Sequence, residues 1–183
     1  MNKIIKGIVI PALLVSGSAM AVGSTTDNSA YVSITGSVSD SSAAECTVTS
    51  SVHTVSIHSD ISNMIEAGDN ATNMSFVPIQ VSGDIGCRQL IDQGRIGYKI
   101  TGIADESDAT VLKNADSTDT HAGGIGIGLF SLDQSPYELG KTVVVTSENM
   151  SKTGIGFQAV KLPGQTVTSG SLLGNVTVEI ERL

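Results

Sequence analysis

Asn175-Val176-Thr177-Val178-Glu179-Ile180-Glu181-Arg182-Leu183 closes the chain, and its alternation decides the fold class. Val176, Val178 and Ile180 fall on one face of an extended strand, and Thr177, Glu179 and Glu181 fall on the other. A helix would scatter the same residues around its circumference. The two-residue period recurs upstream. Ile155, Phe157 and Ala159 share a face opposite Gln158. Ile96, Tyr98 and Ile100 alternate with Gly97, Lys99 and Thr101, and Ile125, Ile127 and Leu129 alternate with glycines. Met74 to Val81 alternates through Val77, Ile79 and Val81, with Pro78 marking an edge position or a bulge. Cys46-Thr47-Val48, Val52 to Ile57 and Thr142 to Thr146 are shorter strands. Between them, 59–72, 104–123 and 134–141 are rich in Asp, Asn, Ser and Gly and are expected to turn. The first of these can hold a helical turn around Ile61, Met64 and Ile65. Many short strands, few helical patterns and no tryptophan predict an all-β sandwich of the immunoglobulin kind.

The other end of the chain carries an export signal. Lys3 and Lys6 form a basic head, Ile4 to Val15 is largely apolar, and Ala19-Met20-Ala21 fits small-residue cleavage after Ala21. The apolar run falls short of the about 20 residues a membrane span needs, and Pro11 interrupts it. The expected organisation is 1–21 as signal, 22–42 as an N-terminal extension and 43–183 as one domain of ordinary size. The full chain has net charge −8, and the signal removes two lysines and no acid. Such an acidic exported chain is a poor partner for nucleic acid or anionic membranes. Cys46 and Cys87, 41 positions apart, are an even count in an exported chain and are expected to pair. Closing a loop of that length contributes about 4 kcal/mol in the chain-entropy account.

The two ends of the mature chain raise one question together. Tyr31 to Val38 is a good strand, with Val32, Ile34 and Val38 on one face, flanked by the small polar stretches 24–28 and 39–44. A strand tethered in this way is either the first strand of its own sandwich or a strand lent to another copy. An immunoglobulin-like sandwich wants a further strand after one like Val176 to Ile180, and the sequence stops at Leu183. A sandwich one strand short exposes an apolar groove and an unpaired edge, which strand addition from a neighbour would cover. Spacing alone leaves both readings open.

Several segments resemble the type 1 family of chaperone–usher fimbrial subunits. Val32-Ser33-Ile34-Thr35-Gly36-Ser37-Val38, followed by Cys46-Thr47-Val48, resembles the family's donor strand leading to its first cysteine. The spacing to Cys87 is similar to its single disulfide loop. Gly124-Ile125-Gly126-Ile127-Gly128-Leu129 and Gly156-Phe157-Gln158-Ala159-Val160-Lys161 resemble its "VGIQIL"-like and "PFQARY"-like strands. Gly170 stands fourteenth from the end, as a glycine does in the family's C-terminal strand. The resemblance covers the whole mature chain, and it is the order of the motifs that is specific. It implies an incomplete immunoglobulin-like β-sandwich lacking its last strand, completed by donor-strand complementation. Ala30, Val32, Ile34 and Val38 would be the donated side chains. Gly170, Val176, Val178, Ile180 and Arg182 would mark the acceptor groove and the strand a chaperone holds. The implied partners are a periplasmic pilus chaperone, an outer-membrane usher and other pilin subunits, with export through the periplasm to a surface fimbrium. The resemblance implies neither a cofactor nor direct contact with a host receptor. Two positions depart from it: Ala30 replaces a glycine, and Arg182 replaces an aromatic residue. They suit a minor adaptor or terminator as readily as a shaft subunit. A tip adhesin would carry a lectin domain ahead of this one.

No catalytic constellation competes with this reading. His53 and His58 are five apart with no cysteine or acid cluster beside them, and His121 stands alone in a polar stretch, so no metal site is expected. The serine elbow G-x-S-x-G is absent. Asp105, Glu106 and Asp108 lack the ordered spacing of a calcium loop and are expected to form a solvated turn. Gly124, Gly126 and Gly128 do not follow dinucleotide spacing. They are expected to let their strand pass close to a neighbour or to an inserted donor strand.

Overall fold

The computed structural model describes residues 29–35, 44–146 and 153–183. Along them run β1 (Ser29–Thr35), β2 (Cys46–Ser50), β3 (Thr54–His58), a 3-10 turn (Ile61–Asn63) and β4 (Ser75–Gly83). Helix α1 (Ile85–Asp92), β5 (Ile96–Gly102), β6 (Val111–Leu112) and β7 (Ile125–Phe130) follow. β8 (Val143–Val145), β9 (Gly154–Lys161) and β10 (Leu172–Arg182) complete the order. The strands form two sheets, β3-β1-β10-β5-β8 and β2-β4-β9-β7-β6.

The alternating residues explain how the sheets meet. Val32, Val55, Ile100 and Val176 of the first sheet share one buried core with Val48, Ile79, Ile127 and Ile155 of the second. Two tyrosines join them. The Tyr98 hydroxyl donates to the Gly154 carbonyl at 3.2 Å. The Tyr137 hydroxyl accepts from the Ile100 N–H at 2.8 Å and donates to the Thr142 carbonyl at 2.5 Å. Burial pushes both phenols above their ordinary range, Tyr137 to about 12.

The second sheet is buried on its outer face too. Ala71, Val111, Phe130, Val160 and Leu162 form a smaller cluster there, with Ile65, Ala67 and Met74 packed on it. Gln158 is therefore buried rather than solvated. Its Oε1 accepts from the N–H groups of Thr72 and Asn73 at 3.0 and 2.9 Å, and its Nε2 donates to Thr72 Oγ1 at 3.1 Å. This amide fixes the covering segment.

Three expectations change. Helix α1 lies where none is predicted, with Asp84 as its cap accepting from the Cys87 N–H at 2.8 Å. That bond holds the Asp84 carboxyl below its usual range. β6 lies inside a stretch expected to turn, and both its residues are buried. Pro78 is in a strand with neighbours on both sides, since β4 pairs with β9 over Ser75–Pro78 and with β2 over Ile79–Gly83. The Pro78 carbonyl faces Ser50, the last residue of β2, whose hydroxyl donates to it at 3.1 Å. The proline nitrogen on that same side thus meets the end of β2, where no ladder donor is needed. Of the two expectations for Gly126 and Gly128, the first holds: they make room for neighbours within the second sheet. A Cβ on Gly126 would lie 2.3 Å from Val111 Cγ1 in β6, and one on Gly128 would lie 2.9 Å from the Phe130 ring.

Candidate functional site: the strand position beside β10

β1 lies between β3 and β10. The arrangement is thus the first of the two the sequence leaves open: the chain's own first strand takes the place beside β10. It runs antiparallel to β3, from Ser29 opposite His58 to Ser33 opposite Thr54. It runs parallel to β10, from Ala30 opposite Leu172 to Thr35 opposite Thr177. Every other described strand ladder is antiparallel. Parallel pairing is slightly less stable per residue than antiparallel pairing, so β1 is held less firmly to β10 than an antiparallel strand of the same length would be.

Val32 and Ile34 point into the core and are buried, as their spacing predicts. The Ile34 N–H donates to the His53 carbonyl at 3.2 Å. Tyr31 points out, next to Leu173 of β10, and both are exposed. Ala30 is paired in the ladder, and Val38 lies outside the described residues. Beyond Ile34 a cavity of about 350 Å³ opens between the sheets, lined by Ile34, Val48, Thr49, Ser50, His53, Ile79 and Val178.

β10 has the predicted faces. Val176 and Val178 are buried, and Ile180 is half-buried against the core. On the other face Lys99 of β5 lies 3.0 Å from Glu181 and 3.7 Å from Glu179. These bonds, that to Glu181 first, raise the Lys99 ammonium above its usual range. Arg182 Nη2 donates to the Ala44 carbonyl at 2.7 Å, tying the end of β10 to the chain just before Cys46. Cys46 is bonded to Cys87, so β2 is stapled to α1.

Gly170 has a steric reason. A Cβ there would lie 2.3 Å from the His121 carbonyl carbon and 2.4 Å from Ala122 N and Thr120 O. Only glycine lets the loop 114–122 approach so closely. Bonds across the gap follow: the Ser171 N–H donates to Thr120 O at 3.0 Å, and the Ala122 N–H donates to Ser171 O at 2.9 Å. Asp116 accepts from the Ser171 hydroxyl, and this bond first, then Thr118, holds its carboxyl below the usual range. Sequence reading missed Asn114 and Asp116 in this loop, because a polar stretch between strands gives no periodic signal. The acids Asp105 and Asp108 close turns, accepting from Ser107 and Thr110. His121 Nδ1 lies 2.7 Å from the Thr118 carbonyl.

A protein-family model described as "Fimbrial protein" matches residues 32–181. The match begins inside β1 and ends inside β10, so it takes in part of each strand of the parallel pair. The chain belongs to the fimbrial protein family. This fimbrial subunit is thus a surface-fibre component that assembles with other subunits of its kind, and its family is one of structural proteins. No curated protein matches the chain.

Proposed function

We propose that this fimbrial subunit joins its fibre by strand exchange, with residues 22–42 as the exchanging arm and residues 43–183 as the acceptor. The observation that carries the proposal is the parallel seat of β1. A strand near the start of a chain, joined to the body by residues 36–45, can pass to a neighbour's body without altering any other pairing. That is domain swapping, and repeated head to tail it makes a fibre. Val32 and Ile34 would fill the same positions in the neighbour as at home, each contributing about 1.5–3 kcal/mol when buried. The self-seated form is then the closed monomer, and the exchanged form is the link in the fibre.

The reading extends to the route. The chain is exported after cleavage following Ala21, forms its Cys46–Cys87 bond in the periplasm, and is held by a pilus chaperone along β10 until the outer-membrane usher receives it. Deleting residues 22–38 tests this. The truncated subunit should still co-purify with its chaperone and should form no fibres when expressed alone with chaperone and usher. Fibres built from the truncated subunit would overturn the proposal.

A further inference from the structure

β10 is paired unevenly. On one side β1 covers Leu172–Thr177. On the other, β5 pairs only with Val176–Arg182. Among the described residues, the stretch that receives most of β1 therefore has no strand behind it. One side chain stands in for that strand. Asn114 Oδ1 accepts from the Leu173 N–H and the Asp116 N–H, both at 3.0 Å. Asn114 Nδ2 donates to the Ser171 carbonyl at 3.0 Å and to the Ala122 carbonyl at 3.2 Å. An amide side chain offers two donors and an acceptor oxygen with two lone pairs, and here all are used. The Ala115 N–H donates to the Leu173 carbonyl at 2.8 Å and completes the substitute ladder.

We propose that Asn114 is a positioning residue for strand exchange: it holds Ser171 and Leu173 at ladder geometry so that the adjoining edge of β10 is ready to accept a strand. The inference rests on the strand-exchange reading, but its structural half can fail separately. Asn114 also bonds Ala122, in the loop that Gly170 admits to close range, so one residue joins the two segments that meet there. Aspartate at this position keeps the acceptor for Leu173 and loses both donors, while alanine loses everything. The two variants thus separate the roles.

The test is amide hydrogen exchange on the full mature chain, together with the rate at which it takes up a labelled peptide of the β1 sequence. N114A should lose about tenfold or more of its protection at Leu173, the loss expected when net hydrogen bonds are removed. Protection in β7 and β9 should stay as in the wild type, and the peptide uptake should slow. N114D should keep the Leu173 protection and fall between the other two in uptake, and it provides the test if N114A does not fold. Wild-type protection at Leu173 in N114A would overturn the proposal, as would a loss spread evenly over β7 and β9. Lost protection at Leu173 with no peptide uptake by any variant, wild type included, would leave the clamp standing and overturn the strand-exchange reading with the role assigned here.

Discussion

β9 and β1 both sit inside sheets, with strands on either side, yet they are held in different ways. β9 is antiparallel to both its neighbours and is buried on both faces, by the sandwich core within and by the segment that Gln158 fixes without. β1 has one parallel neighbour, one covered face and an outer face that exposes Tyr31. A cavity opens where its pairing with β10 ends. β9 thus belongs to the permanent part of the sandwich and β1 does not. Covering β9 twice makes it costly to move, whereas removing β1 opens a groove between β3 and β10 and leaves the second sheet whole.

Substitutions in the two strands test this contrast. The largest effect is expected at Phe157, fully buried in β9. F157A should cost about 3–5 kcal/mol in denaturant unfolding and lower protection throughout the chain. Ile34→Ala should cost about 2–5 kcal/mol, toward the lower end because the cavity already adjoins it. Its loss of hydrogen-exchange protection should be confined to β1, β3 and the first half of β10. Equal spread of the two losses would remove the contrast. Gln158→Ala strands the Thr72 and Asn73 N–H groups and should cost about 1–3 kcal/mol, with proteolysis starting in 67–74. The smallest effect concerns pH. The Asp116 carboxyl is lowered by the Ser171 hydroxyl, so its contribution is present above the unfolded value of 3.8 and is lost as pH falls through the folded one. The melting temperature of D116N should show a shallower acid-side fall than the wild type.

Much of the fold is legible in the sequence where side chains alternate. β5, β9 and β10 follow their apolar residues, and Val32 and Ile34 mark the buried face of β1. The disulfide follows from an even cysteine count in a chain whose sequence is expected to be exported. Other features depend on contacts that no local pattern records. Helix α1 is eight residues long, contains Gly86, and owes its start to Asp84 and its place to the Cys87 bond. β6 is two residues whose pairing with β7 is set across the sheet. Gln158 follows the alternation, but the segment covering it does not, because a loop's hydrogen bonds go to a side chain distant in sequence. Asn114 is hidden for the same reason, with Ser171 and Leu173 more than fifty residues away. The alternation of Tyr31 to Val38 states that it is a strand and leaves open which sandwich it enters. Register and direction come from the pairings with β10 and β3.

The central claim is that β1 must leave its own body for the subunit to join a fibre. Tyr31 and Leu173 are partners across the parallel pair and both are exposed, so a Y31C/L173C variant can lock β1 at home. Electron microscopy of fibres assembled from the locked protein, with and without mild reduction, measures the claim directly. The account predicts a folded monomer that forms no fibres while locked and forms them once the introduced disulfide is reduced. Fibres at wild-type abundance with that introduced disulfide intact would contradict it.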